Sequence, residues 1–81
     1  MPWVMHIRWK RLIVDLRPGV DGDEWDELLD AIIAELPNVN RVRLIVPQGW
    51  TAEGDERRPL IDTLVFVLTK RGLDVERRYK R

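Results

Sequence analysis

The sequence predicts a mixed α/β domain, an α+β-like two-layer sandwich in which a four-stranded mixed sheet carries two helices packed on one face. Apolar and charged residues alternate in the first seventeen residues, apolar residues recur at helical spacing over residues 25–36, and a second strand–helix–strand segment follows. The predicted order is β-β-α-β-α-β, in a single domain that spans residues 1–81. Because strand–helix–strand crossovers are right-handed, both helices are expected on the same side of the sheet, which leaves its other face open to solvent.

The composition limits the classes of function. Charged residues make up 35% of the 81 residues, yet they cancel to a formal net charge of +0. This balance argues against a generic polyanion binder but not against a local basic patch. The absence of cysteine and serine excludes disulfides, cysteine metal sites and the commonest hydroxyl nucleophile. No apolar run approaches the roughly 20 residues of a membrane helix and no secretion signal is visible, so we expect a cytoplasmic protein without a membrane partner.

The first seventeen residues predict a β-hairpin with one apolar and one charged face. The apolar residues alternate but change phase midway: Trp3, Met5, Ile7 and Trp9, then Leu12, Val14 and Leu16. A two-residue turn at Lys10-Arg11 places all seven on one face, with Trp9 opposite Leu12. The other face then carries His6, Arg8, Asp15 and Arg17. Lys-Arg is poor turn chemistry, and a single long strand with a bulge near Lys10 would also correct the phase.

A helix follows the hairpin. Its apolar residues have the spacing i, i+3, i+4, i+7, i+8, i+11 and are Trp25, Leu28, Leu29, Ile32, Ile33 and Leu36. Asp21 stands at the position of an N-cap and Glu24 follows three residues later, as in a capping box. Residues 21–36 contain seven acids and no base, and the acids of the first turn complement the positive end of the helix dipole. Pro37 ends the helix.

The second half of the chain predicts a strand, a further helix and a last strand. Residues 41–46 alternate as a strand that Pro47 ends. The stretch 60–71 has helical apolar spacing, with Pro59 in the first turn and Gly72 at the C-terminal cap. Residues 63–69 are also a run of β-formers that a turn at residues 70–72 would make into a hairpin strand, but we favour the helix. The last strand spans Val75 to Tyr79, and its end joins the basic tail of residues 77–81.

A search for catalytic and metal-binding groups finds few candidates. His6 is the only histidine and is expected on the solvated sheet face, while Asp23, Glu27 and Asp30 lie on the outer face of the first helix. One histidine without cysteine cannot make a zinc site. The acidic loop of residues 53–56 lacks the ligand spacing of a calcium loop. We therefore expect no enzymatic activity, no catalytic residues, no metal and no cofactor.

Arginines are the other feature of the predicted open sheet face. Five of them are expected to gather there: Arg8, Arg17, Arg41, Arg43 and Arg78. A nucleic-acid surface would combine such a patch with exposed aromatic residues that stack on bases. The predicted hairpin instead points Trp3 and Trp9 into the core, and three acids, Asp15, Asp74 and Glu76, dilute the charge. We therefore do not expect a nucleic-acid partner, and interpret the face as salt-bridged and solvated.

Trp50 lies in a loop beside Gly49, where no pattern buries it. It either caps the edge of the core or is an exposed contact for a protein partner. The candidate partner contacts are thus Trp50, Arg8, Arg17, Arg41 and Arg43. We expect a monomer.

Three segments resemble the STAS domain, the fold of bacterial anti-sigma-factor antagonists. Residues 12–21 resemble that family's strand and the entry to its first helix, residues 42–46 its following strand, and residues 70–73 the exit of its second helix. The resemblance implies a regulatory protein–protein interaction domain. The family's phosphorylated Asp-Ser-Ser-Gly loop corresponds to Glu53-Gly54-Asp55-Glu56, which has no serine, so the phosphorylation switch does not carry over.

The same order of elements also resembles computationally designed α/β scaffolds. The absence of cysteine and serine and the cleanly capped first helix support this resemblance, whereas the Lys10-Arg11 turn is not an idealised choice. Our first functional hypothesis is therefore a stable, self-contained scaffold of the de novo type, without catalytic or specific ligand-binding activity. The alternative is a natural STAS-like protein-interaction domain that lacks the phosphorylatable serine.

Overall fold

Four strands and two helices follow one another in the predicted β-β-α-β-α-β order. The structure, a computed structural model, describes residues 3–20 and 22–80, with the side chains of all of these except residues 22 and 23. The elements are β1 (Trp3–Arg8), β2 (Arg11–Leu16), α1 (Gly22–Glu35), β3 (Arg41–Pro47), α2 (Arg57–Lys70) and β4 (Asp74–Lys80), with short 3₁₀ helices at Leu36–Asn38 and Gln48–Thr51. No helix in the described part of the chain is long and apolar enough to cross a membrane.

The strands form one mixed sheet in the order β1-β2-β3-β4. β1 pairs antiparallel with β2, whereas β2–β3 and β3–β4 are parallel pairs that α1 and α2 connect. Apolar residues of adjacent strands are in register, such as Val14 beside Leu44. The predicted mixed four-stranded sheet is confirmed.

One apolar core lies between the sheet and both helices. The strands supply Trp3, Leu12, Val14, Leu16, Val42, Leu44 and Val46, and the helices supply Trp25, Leu28 and Ile32 from α1 and Ile61, Leu64 and Leu68 from α2. Since all of these belong to one packed cluster, both helices cover the same sheet face, as predicted. No polar or charged residue is buried among the described side chains.

The hairpin is confirmed, but its turn is not where we predicted it. Arg8 pairs with Arg11, so the turn is Trp9-Lys10 and not Lys10-Arg11. Trp9 is 83% exposed, and its predicted position in the core is wrong. The observed register places Trp3 opposite Leu16, where Trp3 is buried. A register with Trp9 in the core would instead move Trp3 beyond the end of β2. The structure thus buries Trp3, which has a partner in β2, and exposes Trp9.

Both predicted helices are present. Trp25, Leu28 and Ile32 are buried in the core as predicted, and Leu29 and Leu36 pack against it. Ile33 is half-buried and lies outside this cluster, and the predicted N-cap Asp21 lies outside the described residues. Residues 57–70 form a helix and not a hairpin strand, and the helix starts two residues before Pro59. It ends at Lys70, and Gly72, two residues later, has a φ of 84°. The Gly72 and Leu73 amides donate to the Thr69 and Leu68 carbonyls at 3.0 and 3.3 Å, which is the hydrogen-bond pattern of a Schellman cap.

The predicted basic tail is a part of the sheet. β4 extends to Lys80 and pairs with β3 over its whole length. Its cations are held by acids of other segments or of β4 itself: Arg77 contacts Asp62 at 3.0 Å, Arg78 contacts Glu76 at 2.5 Å, and Lys80 contacts Asp15. Residue 81 lies outside the described chain.

Candidate functional site

Four arginines surround one concave region of the open sheet face, beside the hairpin turn. Arg8 of β1, Arg11 of β2 and Arg41 of β3 form one row across three adjacent strands, and Arg43 lies one pleat further along β3. The region has a volume of about 340 Å³ and is lined by Arg8, Trp9, Arg11, Ile13, Arg41 and Arg43. We call these six residues the arginine surface.

The backbone explains why these side chains converge. Residues that are directly paired across a sheet point to the same face, so Arg8 and Arg11, which flank the turn, lie on the face opposite the core. The Lys10 carbonyl accepts hydrogen bonds from the Asn40 and Arg41 amides at 2.9 and 3.3 Å. These two bonds fix the turn to the start of β3. The tip of the hairpin, with Trp9, is therefore held next to Arg41.

Most of the charge on the arginine surface is not neutralised. Arg43 contacts Glu76 at 3.4 Å. Among the described side chains, no carboxylate forms an ion pair with Arg8, Arg11 or Arg41, although Asp74 is in register with Arg41. Like charges that face each other across strands destabilise a sheet. The repulsion within this row of three arginines therefore lowers the stability of the fold.

Glu76 marks the limit of the arginine surface. The hydrogen bond from Arg78 and the charge of Arg43 lower the pKa of the Glu76 carboxyl. Glu76 therefore remains ionised and is shared between two cations, so Arg78 is occupied within the sheet. The unneutralised charge belongs to the end of the sheet near the hairpin turn.

Trp9 is an aromatic residue without a packing role. Its side chain is the most exposed of the large hydrophobic residues among those described. Trp9 and Lys10 have φ values of 54° and 58°, as the two central residues of a type I′ turn require. For a residue with a Cβ this left-handed conformation costs roughly 1–2 kcal/mol. This strained turn places the Trp9 indole ring in solvent, beside the unpaired arginines.

The structure brings together three of the predicted partner contacts. Arg8, Arg41 and Arg43 all line the arginine surface. Arg17 follows β2 at the opposite end, about 20 Å from Arg11 along the strand, and it forms an ion pair with Asp15 at 3.8 Å.

Trp50, the fifth predicted contact, is 3% exposed. It lies in the 3₁₀ helix after β3, and the Arg57 guanidinium lies 4.8 Å from the centre of its ring. The interpretation of Trp50 as an exposed contact is wrong and the core-edge interpretation is confirmed, because the 3₁₀ turn folds the indole back against the core cluster.

The remaining candidates from the sequence are not gathered into a site. His6 is exposed on β1, and Glu27 and Asp30 are exposed on α1. The side chain of Asp23 lies outside the described residues. Within residues 3–20 and 22–80, no group of three or more histidines and acids is placed to hold a metal ion.

The acidic loop before α2 has a structural partner. Asp55 receives hydrogen bonds from the backbone amide of Arg57 at 2.9 Å and from its guanidinium at 3.0 and 2.9 Å. These bonds lower the pKa of Asp55 to about 2, and the bonds from the Arg57 side chain contribute more than the bond from its backbone amide. The aspartate thus anchors the start of α2.

Trp9, Arg11 and Ile13 are the three members of the arginine surface that the sequence interpretation did not name as contacts. The errors at Trp9 and Arg11 come from placing the turn one residue too late. A turn at Trp9-Lys10 also corrects the phase of the apolar residues, but the size of the indole favoured a position in the core. The distinguishing signal was Trp3, which has a partner in β2 only if the turn is at Trp9-Lys10.

No protein-family model, curated protein or solved structure matches this chain. The resemblances to STAS domains and to designed scaffolds therefore stay predictions.

Proposed function

We propose that this protein is a binding module for phosphate groups of a polyanion, and that the arginine surface makes the contact. The observation that carries the proposal is the row of Arg8, Arg11 and Arg41. These three cations lie on adjacent strands, around a concave region, without an ion-pair partner among the described side chains.

The choice of phosphate follows from the side chains involved. The planar guanidinium fork binds phosphate and carboxylate in bidentate geometry. A phosphate is tetrahedral, so its oxygens point in different directions and can accept hydrogen bonds from forks that arrive from different strands, whereas the two oxygens of a carboxylate lie in one plane. The concave shape favours one group held between several arginines over scattered contacts on a flat surface.

The distribution of charge over the molecule supports a polyanion-binding surface on the open sheet face only. The acids of α1 lie on the helical layer, where Asp26, Glu27 and Asp30 are exposed. These acids repel a polyanion from the helical layer, so it approaches the open sheet face. A local field of this kind steers association even when the formal net charge is +0.

Calorimetric titration with inorganic polyphosphate at low salt tests the proposal. We expect Arg11→Gln and Arg41→Gln each to weaken binding about tenfold, because each removes a charge-assisted hydrogen bond. Affinity should fall steeply with salt, and each substitution should reduce the salt slope by about one. Arg17→Gln is the matched control, since it removes the same charge from the other end of the sheet and should leave affinity almost unchanged.

A second variant separates lost binding from lost folding. Arg11→Glu replaces a repulsive pair with Arg8 by an attractive one and should stabilise the fold by about 0.2–1 kcal/mol while it abolishes binding. Absence of binding at low salt, or an equal loss in Arg17→Gln, would overturn the proposal. Equal affinity for polyglutamate would overturn the choice of phosphate and indicate an acidic protein partner instead.

The scaffold hypothesis stays a prediction with a distinct outcome. It predicts a melting temperature above about 90 °C and no binding to any of these probes, so a midpoint in the ordinary mesophile range would count against it. The STAS-like hypothesis predicts a protein partner near the entrance of α2. Because Trp50 is buried there, Trp50→Ala would unfold the region and cannot test that contact. Arg58 is exposed at the same entrance. If the STAS-like hypothesis holds, Arg58→Ala should weaken capture of the partner in a pull-down.

A further inference from the structure

We infer that Trp9 is a stacking platform for an unpaired base, so that the arginine surface selects single-stranded nucleic acid among polyanions. The inference rests on the proposed phosphate binding and adds to it the class of ligand. It reverses our expectation of no nucleic-acid partner, which depended in part on Trp9 being in the core.

The first support is that the Trp9 ring is free to stack. Trp9 is 83% exposed and lines the same concave region as the arginines. The other exposed aromatic residues lie elsewhere: Phe66 has the Lys70 ammonium 5.5 Å from its ring centre, and Tyr79 is on β4 beside Arg77. Only Trp9, among the described aromatic residues, combines an uncovered ring with unpaired arginines.

The second support is the backbone that holds Trp9. A type I′ turn forms most readily with Asn-Gly or Asp-Gly, yet here a tryptophan and a lysine adopt positive φ. Backbone strain of this kind is retained at ligand-binding sites, where the surrounding structure holds it. The two hydrogen bonds to the Lys10 carbonyl fix the turn, so the ring is presented before the ligand arrives.

The third support concerns the form of the nucleic acid. In a duplex the bases are stacked on each other and their faces are covered, whereas single strands present them to aromatic side chains and arginine planes. The concave region of about 340 Å³ is of the size of a single nucleotide, and no described helix projects from this face to enter a major groove. A phosphate between the arginines and an adjacent base on Trp9 is the arrangement that the surface allows.

The tryptophans of the chain provide a direct readout. Trp3, Trp25 and Trp50 are buried at 7, 9 and 3% exposure, so a base that stacks from solvent can reach only Trp9. Quenching of the intrinsic fluorescence by an oligonucleotide therefore reports contact with this ring, and the wild-type protein needs no label.

The experiment compares three probes at one salt concentration: a single-stranded oligonucleotide of about 12 nucleotides, the same strand annealed to its complement, and polyphosphate of equal charge. We expect the single strand to bind about tenfold more tightly than polyphosphate, and to quench the fluorescence. Trp9→Asn should remove this preference, since it keeps a turn-forming residue but no aromatic ring, and Trp9→Phe should retain most of it.

The outcomes distinguish the two proposals. If no probe binds, phosphate recognition fails and the stacking inference fails with it. If single strand and polyphosphate bind equally and Trp9→Asn changes neither, the stacking inference is overturned while phosphate recognition stands. Equal or tighter binding of the duplex would overturn selectivity for single strands.

Discussion

At the residue scale, Trp9 and Lys10 have the least favourable backbone conformations in the described chain. Both have positive φ and neither is glycine. Their exposed side chains make no core contacts that would offset this cost. The hairpin closes here because the register that buries Trp3 against Leu16 leaves only these two residues for the turn. Core burial at one end of β1 thus determines strain at the other end.

Lys10→Gly tests this strain without touching Trp9. We expect a gain of about 1 kcal/mol in the free energy of unfolding, because glycine adopts positive φ without a steric penalty. The midpoint of urea denaturation measures it. Lys70→Gly is the control and should instead lose about 1 kcal/mol, because Lys70 lies in the last turn of α2. A destabilised Lys10→Gly would show that the lysine side chain supports the turn.

At the element scale, the hydrogen bonds at both ends of α2 favour a helix over a strand. Its middle contains β-formers that are compatible with either a strand or a helix. Asp55 anchors the first turn through the Arg57 amide, and the Schellman cap at Gly72 satisfies the last carbonyls. These local hydrogen bonds and the burial of Ile61, Leu64 and Leu68 together favour the helix.

The start of α2 predicts a dependence of stability on pH. The pKa of Asp55 is lowered from 3.8 to about 2 in the folded protein, so the ionised carboxylate stabilises the fold above the unfolded value. This stabilisation is lost as the pH falls from about 3.8 through 2. We therefore expect Asp55→Asn to be less stable than the wild type at pH 7 and equal to it below pH 2.

Urea denaturation of both proteins across that pH range measures the effect. Glu53→Gln is the matched control, because it removes one charge from the same loop without breaking an ion pair among the described side chains. A constant difference between wild type and Asp55→Asn at all pH values would contradict the assignment, since only an ionisable group loses its contribution in acid.

At the scale of the whole molecule, the sheet and both helices contribute to one apolar core. β3 lies between β2 and β4, and its Leu44 is fully buried in the cluster that both helices complete. The opposite face of the same strand carries Arg41 and Arg43. The core cluster that both helices complete therefore lies on one side of the sheet, and the arginine surface lies on the other.

Substitutions at neighbouring positions of β3 test this division. Leu44→Ala should cost about 2–5 kcal/mol, because it leaves a cavity in the core, which is a large share of the stability of an 81-residue domain. Ile45→Ala, on the open face, should cost clearly less, since that residue is only half-buried. Thermal unfolding of the two variants provides the comparison, and equal losses would contradict a core confined to one face.

The sequence alone determined the order of elements, the mixed sheet, the apolar positions of α1 and the cap at Gly72. These features depend on local periodicity and on conformations that few residues adopt. It also identified Arg8, Arg41 and Arg43, because strand alternation assigns them to the open face. Only the tertiary structure decided the hairpin register, the burial of Trp50 and the membership of Trp9 and Arg11 in the arginine surface. Two turns satisfied the same alternation, and only the observed one pairs Trp3 with Leu16 in the sheet, where Trp3 is buried.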